Sequence, residues 1–429
     1  MFEYLSHDES LALESLHSRG LNELDVPIIC FRDTPILTLS VGFASRDMNI
    51  LYLCREPDTW DHKEPGLFAR AFRRCGVNLV CPADGFPTNG NIQDLLDQCQ
   101  QIPNMIVWLE SARPILPKGL EKVRMPTLAF QSDTYAYTRR RIRWSMLFDY
   151  AVVFHPGFEV QFRNAGHPRV ITWSHAADPE LFSRQQEQRT FEVGWVGRTD
   201  GNLYKDRRFV LQSLSRHFHM NDFARFHPPE ELAQVYCRSK IIVNVARDDY
   251  PQDANMRVFE AMASGALLIT RLPSELTAIG FEEGVHFVGY RRLDEIVGLA
   301  RQNLNDEPTR TRIAQASREK VLREHTYDNR VQTLLRTVES DAGRQFAPAR
   351  KWTEGRVRTH YIDYYAASRV FDCAYAEWRH FATSDVPYPL ESGVLIGRAW
   401  LAELRRNVVA MKQRQSNKTQ PDGYRKTER

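Results

Sequence analysis

The sequence predicts an α/β protein built from two doubly wound, parallel-sheet domains that face a cleft, followed by a helical C-terminal extension. Three observations predict it. A chain of 429 residues is too long for one ordinary core. Short apolar runs alternate with stretches of helical period, which is the rhythm of parallel βαβ units. The rhythm breaks at a polar stretch, 183–190, and then starts again.

Residues 1–47 stand before that rhythm. A short helical pattern, Glu9–His17, precedes two strand-like runs, Val26–Phe31 and Ile36–Gly42, and the turn Arg32-Asp33-Thr34-Pro35 between them reads as a hairpin. The first Rossmann-like domain is expected over 48–182. Its strands are Asn49–Cys54, Val77–Cys81, Met105–Leu109, Thr127–Gln131 and Tyr150–Phe154. Gly66–Cys75, Ile92–Gln100 and an Arg-rich stretch before Tyr150 read as helices. The second domain is expected over 183–340, with strands at Val193–Val196, Ile241–Val245, Leu267–Thr270 and His286–Tyr290. Its helices are Arg207–Phe218, Glu230–Arg238, Met256–Ala263, Leu293–Leu304, Pro308–Glu324 and Asn329–Val338. Two such domains place a ligand cleft at the C-terminal ends of both sheets.

Over 341–404, Tyr361, Tyr364, Tyr365, Phe371, Ala374, Tyr375 and Trp378 fall mostly at helical spacing, so this extension is expected to pack an aromatic face onto the body. The basic segment 405–429 reads as a solvated tail.

Composition narrows the classes. Hydrophobic residues make up 42% and charged residues 26%, as in a soluble globular chain. A net charge of +3 argues against nucleic acid as a partner over the whole surface. Runs such as Ala151–Phe154 and Gly265–Ile269 are too short to span a bilayer, although peripheral membrane contact needs no span. No basic region followed by an apolar stretch opens the sequence, and the seven cysteines form no C-x-x-C pair. A reduced, cytoplasmic setting is therefore expected. Composition does not indicate an oligomeric state.

Three stretches of the second domain carry candidate chemistry. The first is Val196-Gly197-Arg198 with Lys205 downstream, where a glycine allows close backbone approach and two cations follow. Such a pair suits a diphosphate, although an exposed Arg and Lys in a surface loop would look the same. The second is the loop and helix from Asn244 to Gly265. Asp253 or Asn255 is a candidate N-cap, Arg257 lies in the first turn, and Glu260 offers two acceptor oxygens suited to ribose hydroxyls. The bland alternative for Glu260 is a solvated helix residue. The third is Arg271, at the end of the next strand, where a plain strand exit is a competing explanation.

In the first domain, Asp133 follows a strand and is either a general base or acceptor anchor, or the cap of the next helix. His155 follows the strand at 150–154, and a lone histidine is more often structural than catalytic. Asp61 and His62, after the first strand, are weaker candidates. Arg139, Arg140, Arg141 and Arg143 read as a solvated helix face. Asp248-Asp249 without further hard ligands is a poor metal site, and no metal is expected.

These motifs bring a resemblance into view. Val196-Gly197-Arg198 with Lys205, Ser239–Asn244, the Asn255–Ala261 stretch with Gly265, and the strand Gly284–Tyr290 resemble the donor domain of GT-B glycosyltransferases, in the group-1-like branch that includes CgeB-like spore-maturation proteins. The resemblance extends backwards through Phe148–Phe154 and His175–Phe182 and covers about half the chain, from roughly Pro126 to Val338. It implies metal-independent sugar transfer from a nucleoside-diphosphate sugar, UDP favoured, to a hydroxyl acceptor, with no cofactor. It places Arg198 and Lys205 on the diphosphate and Glu260 on the ribose; Gly197, Asn255, Arg257 and Arg271 are expected around them from their own positions in the sequence. A saccharide, lipid, protein or small molecule is the implied acceptor. Retaining members usually carry a further glutamate where this chain has Gln252, so the sugar-side role is not implied. Sugar-nucleotide epimerisation or hydrolysis, and a non-catalytic sugar-nucleotide-binding subunit, are the alternative functions.

Overall fold

The computed structural model describes residues 48–54, 63–81, 90–110, 116–182, 188–225, 227–383 and 397. All belong to one compact body, Ser45–Arg429, which holds two sheet-centred units. The expected hairpin before residue 48, Asp61, His62 and the basic tail lie outside the described residues.

The first sheet holds β1 (Asn49–Leu53), β2 (Asn78–Val80), β3 (Met105–Leu109), β4 (Thr127–Gln131), β5 (Tyr150–Val153) and β6 (Val170–Thr172). Their order is β2-β1-β3-β4-β5-β6, and every pair is parallel. Strand alternation sends side chains to two cores, as a sheet covered on both faces requires. Ile50, Tyr52, Val107, Phe130 and Val152 pack with the helices Glu64–Arg74 and Tyr327–Ser340. Leu51, Leu53, Ile106, Trp108 and Ala129 pack with Val357, Tyr361, Tyr364 and Tyr365 of the helix Glu354–Ala367.

Phe68 anchors the first core, fully buried, with ring centroids of Tyr327 and Phe130 at 4.9 and 5.1 Å. Truncating such a residue costs about 3–5 kcal/mol. The helix Tyr327–Ser340 falls within the range expected for the second domain, yet its apolar face lies in the core of the first sheet.

The second sheet holds β7 (Phe191–Gly194), β8 (Ser239–Val243), β9 (Leu267–Arg271) and β10 (Val288–Tyr290), in the parallel order β10-β9-β8-β7. Met220 bridges Val193 from the other side of β7. The chain therefore leaves β7 first one way and then the other. That reversal opens a crevice at the C-terminal end of β7, where open α/β sheets bind ligands.

Several expectations shift. β7 and β8 each begin two residues earlier than their apolar runs, because the ladder pairs Phe191 with Ser239 and so recruits polar residues. The first helix after β2 stops at Leu96, and β6 was too short to register as a strand pattern. Arg141 is buried rather than solvated: Glu110 takes its guanidinium at 2.7 Å and Gln131 at 3.2 Å. Arg143 pairs with Asp363 at 3.5 Å.

The extension is helical and packs on the body, but it is two helices, Glu354–Ala367 and Phe371–Thr383, broken at Arg369 with φ 63°. Phase is lost across that break. Tyr361, Tyr364, Tyr365 and Ala374 are buried, whereas Tyr375 is half exposed. No helix among the described residues is long and apolar enough to cross a membrane.

Candidate functional site

The end of β7 runs into Trp195-Val196-Gly197-Arg198, and two guanidiniums flank the fully buried Trp195. Arg257 lies over its ring at 4.0 Å and Arg207 at 5.1 Å. Arg257 donates to the Val196 carbonyl at 2.8 Å and to Asn244 Oδ1 at 2.9 Å. Gly197 has φ +143°, and a Cβ there would collide with the Arg257 guanidinium. The close approach that the sequence suggested for this glycine is thus made by a side chain of the protein itself.

Arg207 donates to the Val245 carbonyl at 2.9 Å and to the Arg198 carbonyl. Burial pushes it down to about 9, and neighbouring Arg257 adds to the effect. Arg198 is exposed and paired with exposed Asp200 at 2.8 Å. Lys205 opens the helix Lys205–Ser215, with its backbone N–H on Asp248 at 2.9 Å and its side chain exposed.

Across the crevice starts the helix Met256–Ala263. Asn255 occupies the N-cap position but makes no capping bond; its amide donates to Asn244 at 3.2 Å instead. Glu260 lies one turn on and is buried, not solvated. Burial pushes its carboxyl up to about 7, opposed by a hydrogen bond with Tyr236 and by Arg257. Gly265, at φ +74°, ends the helix and feeds β9. Arg271 closes β9; together with Arg207 and Arg257 it acts on the buried phenol of Tyr290, whose hydroxyl donates to the Asn244 carbonyl at 3.1 Å. Arg198, Lys205, Arg207, Arg257 and Arg271 therefore gather on one edge of the second sheet.

The C-terminal edge of the first sheet meets this one directly. Tyr135, in the loop after β4, stacks on Tyr250 of the second unit at 4.4 Å and 10°. Asp133 is exposed in the same loop and does not cap the next helix, whose N-cap is Tyr137. His155, after β5, is completely buried. Its Nδ1 lies 2.9 Å from Glu275 Oε2 and 4.0 Å from Asp253 Oδ1. His175, also buried, has its Nδ1 2.7 Å from Glu64 Oε1. Burial alone would lower His175, but Glu64 dominates and pushes it up to about 9. Burial pushes Asp253 up to about 6, against the pull of His155 and His175.

Arg207, His175, Glu64 and Glu275 were not singled out from the sequence. Arg207 lies two residues after the candidate Lys205, in the first turn of the same helix, a signal that was present. His175 opens a stretch that carries the resemblance and Glu275 follows Arg271 by four residues, but nothing local to them or to Glu64 indicates that the three meet. The Asp248-Asp249 pair is taken up by Lys205 N–H and by Arg247, the latter at 2.7 Å. A cavity of about 1040 Å³ lies elsewhere, beside Pro103, Val123 and Met125 at the N-terminal edge of the first sheet.

Comparison with known proteins bears on the second unit. Residues 184–336 match the family model described as glycosyl transferase-like. Among solved structures, the chain is similar to a sucrose-phosphate synthase from Thermosynechococcus elongatus, at 12% identity over 68% of this chain and 99% of that one, with a TM-score of 0.49. It is also similar to HepE from Anabaena in complex with UDP and glucose, at 13% identity over 68% and 100%, with a TM-score of 0.46. A glycosyltransferase from Rickettsia africae aligns at 9% identity over 68% and 98%, with a TM-score of 0.48. No curated protein matches. Over residues 184–336, the stretch that carries β7 to β10, this chain is similar to the glycosyl transferase-like family.

Proposed function

We propose that the chain transfers a sugar from a nucleoside-diphosphate sugar, with UDP as the nucleotide, to a hydroxyl acceptor in the cleft between the two sheets. The observation that carries this reading is the gathering of five cationic side chains at the switch point of the second sheet, beside the start of the helix Met256–Ala263. A diphosphate is the ligand that such an edge suits: aligned backbone N–H groups and guanidiniums both favour clustered negative charge. The family match over the same residues supports it.

In the reaction, the bond between the sugar's anomeric carbon and the diphosphate oxygen breaks, and the acceptor oxygen bonds to that carbon. The nucleoside diphosphate departs with the electron pair, and the acceptor's proton passes to a carboxylate, for which we assign Asp133. Exposed Arg198 and Lys205 meet the charge on the leaving diphosphate. Arg207 and Arg257 are positioning residues, because their forks hold the Arg198 and Val196 carbonyls. Glu260 accepts the ribose hydroxyls in place of Tyr236. Side-chain cations supply the charge at the diphosphate, and the reading requires no cofactor.

The test is incubation of the full chain with UDP-sugars and an acceptor panel, following UDP release and the mass of the acceptor. Acceptor-dependent release with a matching mass gain is the expected result. Equal release without acceptor would replace transfer by hydrolysis. Donor binding without turnover across the panel would leave a sugar-nucleotide-binding subunit.

A further inference from the structure

We propose that His155, His175 and Asp253 form a binding site for one divalent cation of the zinc class, tying the first sheet to the second. One ligand atom from each residue lies within 4.8 Å of the others. The residues are 0%, 6% and 6% exposed, so all three are enclosed by protein. His155 follows β5 and His175 follows β6, whereas Asp253 comes from the loop before the helix Met256–Ala263. An ion held here would bridge the two units.

Two further observations point to a ligand. The first is the orientation of the imidazoles. Each has its Nδ1 against a carboxylate: His155 against Glu275 at 2.9 Å and His175 against Glu64 at 2.7 Å. A carboxylate beside an imidazole raises its basicity, as it does behind metal-ligating histidines; for His155 the Glu275 hydrogen bond leaves Nε2 as the remaining donor. The second is a pair of orphaned atoms. Among the described residues, His155 Nε2 and Asp253 Oδ1 are buried with no hydrogen-bond partner, and His175 Nδ1 makes none either, only its ion-pair contact with Glu64. Buried polar atoms without partners are costly and call for an occupant.

Charge points the same way. Three carboxylates, Glu64, Asp253 and Glu275, face two imidazoles in a space walled by Tyr135, Phe154, Phe158 and Tyr250. Two imidazole nitrogens and one carboxylate oxygen are a ligand set suited to Zn²⁺, with a fourth position open, and poorly suited to Mg²⁺ or Ca²⁺, which prefer oxygen ligands.

The full chain, stripped with a chelator, is titrated with Co²⁺ and followed by visible absorption. One equivalent of Co²⁺ should give the bands of a tetrahedral site, and Zn²⁺ should displace them. His155→Ala, His175→Ala and Asp253→Asn should each abolish the bands. Glu64→Gln, which keeps all three ligands, should weaken Co²⁺ binding by about 10–100-fold. His219→Ala should leave the titration unchanged. Absence of stoichiometric bands in the wild-type chain overturns the proposal and leaves a metal-free ion network. So does Co²⁺ binding in folded His155→Ala and His175→Ala that matches the wild type.

Discussion

Nδ1 of His155, just after β5, lies 2.9 Å from the Glu275 carboxylate, and this contact, with the Tyr135–Tyr250 stack, joins the C-terminal edge of one sheet to the other. Glu275 accepts two more hydrogen bonds, from the Tyr250 hydroxyl at 2.8 Å and the Ala254 N–H at 3.1 Å. Burial acts to raise its carboxyl, but these partners, His155 foremost, hold it below the usual carboxylate range. Removing it strands a buried imidazole and a buried backbone donor. Glu275→Ala should cost about 3–5 kcal/mol, the range for breaking a buried pair. Denaturant unfolding measures this; a loss under about 1 kcal/mol would mean the contact is incidental.

The exposed and buried cations should separate cleanly. Arg198→Ala and Lys205→Ala remove exposed side chains, so thermal midpoints should stay close to the wild type. Turnover should fall by about 10²–10³-fold for each, as for a lost donor to developing charge. Arg207→Ala and Arg257→Ala should instead lower stability as well, since each leaves buried carbonyls unpaired beside Trp195. Parallel melting curves and rate measurements on the four variants check the division.

Glu260 makes stability depend on pH in a direction opposite to that of a salt-bridged acid. Its folded pKa, about 7, lies above that of an unfolded glutamate. The folded chain therefore holds the extra proton between those values. Its contribution to stability is fully present below the unfolded pKa, near 4.3, and is lost as pH rises through about 7. Glu260→Gln should remove this one-proton dependence, whose limiting slope is about 1.4 kcal/mol per pH unit. Unfolding free energies of both chains across that window decide it, and parallel curves would place the group elsewhere.

Gly197→Ala tests how tightly the β7 loop is built. The substitution forces an L side chain to φ +143° and drives its Cβ into the Arg257 guanidinium. A destabilisation of about 1–3 kcal/mol is expected, together with weaker UDP binding by calorimetry. Wild-type stability and affinity would mean that the loop and Arg257 can shift without consequence.

Legibility followed the range of the interactions. Met105–Leu109, Thr127–Gln131 and Met256–Ala263 were bounded correctly from their own residues, because a short apolar run or a strong helical stripe declares itself locally. β7 and β8 began earlier than their apolar runs because a ladder partner, not hydrophobicity, set where they start. The aromatic spacing of the extension predicted its packing but misplaced Tyr375, since Arg369 resets the helical phase.

What the sequence determined by itself was the α/β rhythm, its restart, and the cations and carboxylate of the second unit, all carried by short stretches of consecutive residues. The tertiary structure decided which of those groups face solvent. Arg198 and Lys205 remain exposed, whereas Arg257 and Glu260 are drawn against Trp195 and Tyr236. It also assembled Glu64, His155, His175, Asp253 and Glu275, which come from five separate stretches of chain. Pairing of that kind depends on where two sheets end relative to one another, a quantity that no local pattern encodes.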